Sequence, residues 1–306
     1  MPALPSFRVV MSGTSGVFPR TVSRGSSNSG VGIRAGRRAE YDEKSAAAYA
    51  QHFDPAFGRR FAERALDALA VVRGTRVLDV ACGPGVFARL SAHVVGPAGR
   101  VVGIDPSPIA VSTARRIDRT STVDWQPWVE GGLPFADGSF DVVACQHALH
   151  RLADPVSTVQ EMRRLLAPGG RLGITTWGPI EENPAFAAQL DATVKAGLDD
   201  SGAVESLLDA FAWHRTDDLE QLAQGAGLTD VSCQAVRMLA ALPPVAQWVR
   251  VYETVPPLSQ IWPGCDQQVR IRFLSRATEL LRPFEHDGVL RVQASSRLLV
   301  ARRPRP

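Results

Sequence analysis

One stretch constrains the fold more than any other: Arg76-Val77-Leu78-Asp79-Val80-Ala81-Cys82-Gly83-Pro84-Gly85-Val86-Phe87-Ala88. A short β-branched run passes into a glycine turn and then into a helical pattern. Such a strand–turn–helix unit bares backbone to a ligand at the carboxyl edge of a parallel sheet. A second run, Val101-Val102-Gly103-Ile104-Asp105, ends in an acid 20 residues past Gly85, a spacing suited to a carboxylate that grips ribose hydroxyls.

The same period continues down the chain. Strands are expected at Arg76 to Val80, Arg100 to Asp105, Val123 to Gln126, Phe140 to Cys145 and Arg171 to Trp177. Helices are expected near 86–95, 108–119 and 155–167. Alternation of this kind specifies an α/β, doubly wound, mostly parallel sheet. After Trp177 the order changes to three helical segments (about 184–226), a strand at Thr229 to Val236, two further helices (about 245–283) and a last strand at Leu290 to Ala301. These inserted helices are the natural cover for a substrate.

Residues 1–39 lack that periodicity. They carry six arginines and no acid, and read as a disordered basic tail ahead of one domain over 40–306 whose cofactor-binding core spans 40–177. Without the tail, 28 basic face 31 acidic residues, a net charge of −3, which argues against a nucleic-acid surface. No run of eighteen apolar residues predicts a membrane span, and the start lacks the apolar run of a secretory signal. Cys82, Cys145, Cys233 and Cys265 show neither metal-ligand spacing nor a disulfide framework. They read as buried small hydrophobes in a cytoplasmic protein, and no metal site is expected.

The motif Gly83-x-Gly85-x-x-Ala88 followed by an acid also satisfies the dinucleotide fingerprint, so the glycines alone leave two ligands open. Asp79 separates them. An acid four residues before Gly83 repels a pyrophosphate on the turn and attracts the ammonium of the methionyl part of S-adenosylmethionine.

Three blocks, VLDVACGPG (77–85), LPFADGSFDVV (133–143) and EMRRLLAPGGRL (161–172), give the chain a resemblance to the class I S-adenosylmethionine-dependent methyltransferases. It is most similar to their ubiquinone/menaquinone-type and natural-product branch. The resemblance implies a Rossmann-like seven-stranded sheet with an antiparallel last strand. It also implies a cofactor surrounded by Asp79, Ala81, Gly83 and Gly85 at the methionyl end, Asp105 with the adjoining Pro106 at the ribose, Gln146 past the fourth strand, and Tyr49 on an N-terminal lid. Ala81 stands where a first glycine is usual, a replacement expected to cost nothing. The branch usually has an Asp for the adenine amino group just before LPF. Here Trp128-Val129-Glu130-Gly131-Gly132 occupies that segment: Val129 cannot accept that bond, which falls to Glu130 through a one-residue shift or to the backbone.

The implied reaction is methyl transfer to a small organic acceptor (O, N or C), such as an aromatic or lipophilic natural-product-like metabolite. Of the two histidines past the fourth strand, His150 is the preferred general base and His147 the second; each has packing or a helix start as its plain alternative, and His214 is weaker. Trp177, Phe186, Phe211, Trp213, Trp248 and Trp262 read mainly as core, with a partly aromatic acceptor pocket as the sharper reading. Two competitors stay open: a protein of this fold that uses bound cofactor as scaffold for a non-transfer reaction, and a nicotinamide-dependent oxidoreductase. The oligomeric state is open between monomer and homodimer.

A tail without apolar periodicity contributes little packing. Deleting residues 1–38 is therefore expected to leave the melting temperature and the affinity for S-adenosylhomocysteine nearly unchanged, as thermal unfolding and calorimetry will show.

Overall fold

The computed structural model describes residues 41–119, 122–129 and 131–305. The basic tail and Glu130 lie outside the described residues. The strands are β1 (Arg76–Val80), β2 (Arg100–Asp105), β3 (Val123–Pro127), β4 (Phe140–Gln146), β5 (Leu166–Trp177), β6 (Thr229–Leu242), β7 (Glu285–His286) and β8 (Val289–Arg302). They form one sheet in the order β3-β2-β1-β4-β5-β8-β6, with β7 paired to β8. The first five run parallel, and β8 is antiparallel to both β5 and β6.

This is the doubly wound sheet with an antiparallel last strand, plus a short eighth strand. That addition is a hairpin turned by Asp287 (φ 52°) and Gly288 (φ 70°), the Asp-Gly pair that favours a two-residue turn. β6 is 14 residues long and runs six residues past the expected end at Val236. It stays paired with β8 from Ser232 to Leu242.

Helix starts follow local chemistry. Ser107 caps Pro108–Ile117 by accepting from the Ala110 N–H at 3.2 Å, and Asp154 caps Pro155–Leu165 by accepting from the Ser157 N–H at 3.0 Å. In both, proline fills the first turn, where its missing N–H is no loss. Ahead of the sheet, Glu43–Ala48 leads into a wider π-helix, Tyr49–Gly58, and then Arg59–Ala68.

Alternate strand residues supply two cores. Leu78, Val102, Val143 and Cys145 face Val159 and Met162, while Val77, Val101 and Val142 face Leu66, Leu69 and Phe87. A third apolar cluster joins Phe53, Phe57 and Phe61 of the N-terminal segment to Trp248, Tyr252 and Phe273 of the later helices. Trp248 belongs wholly to this core, and Trp262 packs at its margin. Of the cysteines only Cys145 is fully buried; all four are free. Among the described residues no helix is long and apolar enough to cross a membrane.

The Trp125 indole is the wedge that shapes the first turn. It donates to Asp118 Oδ2 at 3.0 Å, and a Cβ placed on Gly103 would come within 2.5 Å of its ring. A Cβ on Gly85 would also run into it, and Gly85 holds φ 87° besides. Gly103 has ordinary backbone, so its substitution isolates the clash. We expect Gly103→Ala to lower stability by about 1–3 kcal/mol through overpacking. The loss should shrink in a Trp125→Leu background, a non-additivity measured by denaturant unfolding of the four proteins.

Candidate active site

β1 is where the strand order reverses, between β2 and β4, and the ligand crevice of such sheets lies beyond the carboxyl ends there. A cleft of about 290 Å³ occupies that position. Its floor is the turn after β1. Ala81 (φ 55°), Gly83 (φ 55°) and Gly85 (φ 87°) all take left-handed backbone. For Ala81 this corrects the expectation of no cost, since a residue with a Cβ pays roughly 1–2 kcal/mol in that region. At Gly83 a Cβ would meet nothing within 4 Å, so this glycine borders open space. Gly85 does not line the cleft: it is small because Trp125 sits against it.

Asp105 fastens this turn to the next. Its Oδ2 accepts from the Gly83 N–H and its Oδ1 from the Ser107 N–H, each at 2.8 Å. It lines the cleft together with Pro106 and Ser107. Asp79 lies deeper, 1% exposed. Its Oδ2 accepts from the Ala88 N–H at 3.1 Å, while its Oδ1 has no hydrogen-bond partner among the described residues. Burial raises its pKa to about 8, outweighing the Ala88 bond, and the Asp105 charge adds to the rise.

A third acid, Asp54, comes from the π-helix. Burial raises it to about 7 although Arg89 lies 3.5 Å away. Gln146, at the end of β4, donates from Nε2 to the Gly58 carbonyl at 2.8 Å, and its buried Oε1 has no partner. The cleft thus holds two buried acceptor oxygens without donors and three carboxylates. That acceptor set fits a cationic, donor-rich group such as an α-ammonium and disfavours a pyrophosphate.

A second cavity, about 240 Å³, abuts the first, and Tyr49, Phe53, His147 and Trp177 line both. Tyr49 stacks on Phe53 at 5.3 Å, and burial holds its hydroxyl well above its ordinary pKa. Tyr41 also lines both cavities, with the Arg151 guanidinium 5.0 Å from its ring centre. His147 is buried, with φ 50°; its Nε2 lies 2.7 Å from Ser296 Oγ and its ring stacks on Trp177 at 4.3 Å. His150 lines only the second cavity. Burial lowers both histidines to about 3, helped at His150 by Arg151 and His147, so both rings are neutral.

Phe186, Phe211 and Trp213 also line the second cavity, whereas His214 lines neither cavity and sits 2.8 Å from the Phe211 carbonyl through Nδ1. Val129 is 87% exposed and outside both linings. Among the described residues no group of three or more His, Cys, Asp or Glu is arranged to hold a metal ion.

Sequence reasoning missed Asp54, Tyr41, Arg151 and Gln189. The signal at Asp54 was an acid between Phe53 and Phe57 in an otherwise apolar run. At Gln189 it was an amide in the alanine-rich PAFAAQLDATVK.

A family model described as a methyltransferase domain matches residues 72–225, half of the chain. The chain is 32% identical over 183 residues to the demethylmenaquinone methyltransferase of Renibacterium salmoninarum, covering 57% of this chain and 75% of that protein. It is 37% identical over 105 residues to the 2-phytyl-1,4-naphtoquinone methyltransferase of Synechococcus elongatus, covering 33% and 45%. Its match spans less than half the length of several such relatives. In fold it is similar to the Haemonchus contortus phosphoethanolamine N-methyltransferase 2 solved in complex with S-adenosyl-L-methionine, with TM-score 0.56, 18% identity and coverage of 87% of this chain and 58% of that one. On the family match over half of its length, the chain belongs to the class I, Rossmann-like family of S-adenosylmethionine-dependent methyltransferases.

Proposed function

We propose that this protein transfers a methyl group from S-adenosylmethionine to a small organic acceptor, in the cytosol. The observation that carries the reading is the pair of donorless buried oxygens, Asp79 Oδ1 and Gln146 Oε1, beside the open turn at Gly83. Asp79 and Gln146 Oε1 take the ammonium of the methionyl end. Asp105, held at the edge of the cleft by two backbone N–H groups, takes the ribose diol. Tyr49 and Phe53 form the wall that separates this end from the acceptor. From the inserted segments, Phe186 and Gln189, the stretch around Ser206–Trp213 and the turn Val255–Pro257 line the acceptor cavity.

The bound cofactor supplies a methyl group already activated on a sulfonium. The chain's share is to hold the acceptor in line, exclude water and remove a proton where the acceptor carries one. His150 is the base in this reading. Its site keeps the imidazole neutral, so its lone pair is available from about pH 4 upward. The burial that keeps it neutral also makes it a weak base, so in this reading the imidazole takes the acceptor's proton only as the methyl arrives and then releases it to solvent. His147, stacked on Trp177 and bonded to Ser296, is a positioning residue in the shared wall.

Ligand pairing at Asp79 requires the carboxylate. An acid lifted to about 8 in the free protein must shed its proton to pair with an ammonium, so the complex binds fewer protons than its parts and affinity rises with pH. Calorimetry with S-adenosylhomocysteine should show affinity increasing from pH 6 to about pH 8. In Asp79→Ala most of that slope is lost, what remains coming from Asp54 at about 7, and binding weakens by roughly one to two decades. Tight NADH binding with none for S-adenosylmethionine overturns the proposal.

A second measurement concerns the proton. His150→Ala should lower turnover by about two to four decades while cofactor affinity hardly moves. For an ionisable hydroxyl acceptor the deficit shrinks as pH rises, because the acceptor then sheds its own proton. Full activity in the double variant His147→Ala/His150→Ala removes the base assignment.

A further inference from the structure

The second cavity contains one polar group that nothing in the fold explains. Gln189 lies on the helix Pro184–Lys195, whose neighbouring inward residues Ala185, Ala188 and Ala192 belong to the apolar cluster. It is 2% exposed and lines the cavity. Its backbone carbonyl accepts from Thr193 Oγ1 at 2.7 Å, but its carboxamide makes no hydrogen bond among the described residues. Its polar atoms are not among the buried ones that lack a partner, so the carboxamide opens onto the cavity, where a guest's polar group can meet it. An alanine or leucine would pack on this helix face without leaving a polar group there. Neighbours of Gln189 in the lining include the aromatic Trp177, Phe186, Phe211 and Trp213.

We propose that Gln189 is the specificity-determining polar anchor of the acceptor site, and that the acceptor is a planar aromatic of one or two rings whose hydroxyl or carbonyl oxygen bonds the Gln189 carboxamide. The inference rests on the methyltransferase reading above and adds the class of substrate. A carboxamide both donates and accepts, so it serves a hydroxyl and a carbonyl equally. The volume of about 240 Å³ lies below the range of about 300–1,000 Å³ usual for drug-sized ligands, which limits the ring system to one or two rings. Aromatic walls tilted or edge-on to one another offer ring faces and edges that favour a flat guest over a branched aliphatic one. His150 lines the same cavity, so an acceptor anchored at Gln189 shares its chamber with the proposed base.

The test uses an isosteric pair of probes, 2-naphthol and 2-methylnaphthalene, in equilibrium dialysis against the full chain. The wild type should bind 2-naphthol more tightly. Gln189→Leu should weaken 2-naphthol by about three- to tenfold, the worth of one neutral hydrogen bond, and leave 2-methylnaphthalene unchanged or tighter. Gln189→Met, closer in shape, should give the same split even if the leucine variant folds poorly. Phe211→Ala should weaken both probes. Equal losses for both probes in the Gln189 variants would mark a merely structural glutamine and overturn the proposal, as would failure of both to bind the wild type. S-adenosylhomocysteine calorimetry on the same preparations keeps the two readings apart. Cofactor bound without either probe sinks the acceptor class alone, whereas the expected probe pattern without cofactor binding sinks the methyltransferase reading and leaves the pocket assignment standing.

Discussion

The Asp105 carboxylate is the tie on which the site depends. One oxygen accepts from Gly83 in the turn after β1, and the other from Ser107 at the start of the helix after β2. Two loops from neighbouring strands are thereby held at one charged point. The turn below it is strained, with Ala81 in left-handed backbone, and strained backbone persists only where its surroundings over-determine it. The Asp105 bonds supply part of that determination. The Trp125 ring, pressed against Gly85 and Gly103, supplies another part from the opposite side.

Around this tie the cleft gathers more negative potential than the free protein comfortably holds. Asp79 and Asp54 are both raised toward neutrality by burial, and Arg89 offsets this only partly at Asp54. Such a cavity is poorly solvated and poorly paired when free, and a cation bearing several donors relieves both conditions. Recognition here is therefore a matter of charge before shape. The adjoining cavity adds Phe186, Phe211 and Trp213 to the shared aromatic wall, with neutral imidazoles, the Gln189 carboxamide, Arg151 and Asp209 among its polar lining. The two chambers meet across Tyr49, Phe53, His147 and Trp177.

Much of this was legible in the chain. β1 and β2 were readable to the residue because β-branched runs end abruptly at glycine or at an acid followed by proline. Asp79, Gly83 and Asp105 announced a crevice because the spacing of strand, turn and acid is local. What escaped was non-local. Nothing near Gly85 in sequence says that an indole 40 residues on will occupy the space over it. Nothing near Asp54 says that Arg89 will meet it, and no periodicity tells whether Gln189 points to solvent or to a cavity. The early stop read for β6 had the same origin, since its final residues owe their pairing to β8, some fifty residues later.

Gln146 has a last consequence. A free carboxamide can rotate by half a turn and exchange its donor for its acceptor, so it reads a ligand ambiguously. Here the donor end is committed to the carbonyl of Gly58 at 2.8 Å. Rotation would set two oxygens against each other, so the amide is locked with its oxygen toward the crevice. The N-terminal helix thus does more than roof the site: it sets the polarity of a group on β4, and a change in the helix's position would be felt as a change in what the crevice accepts.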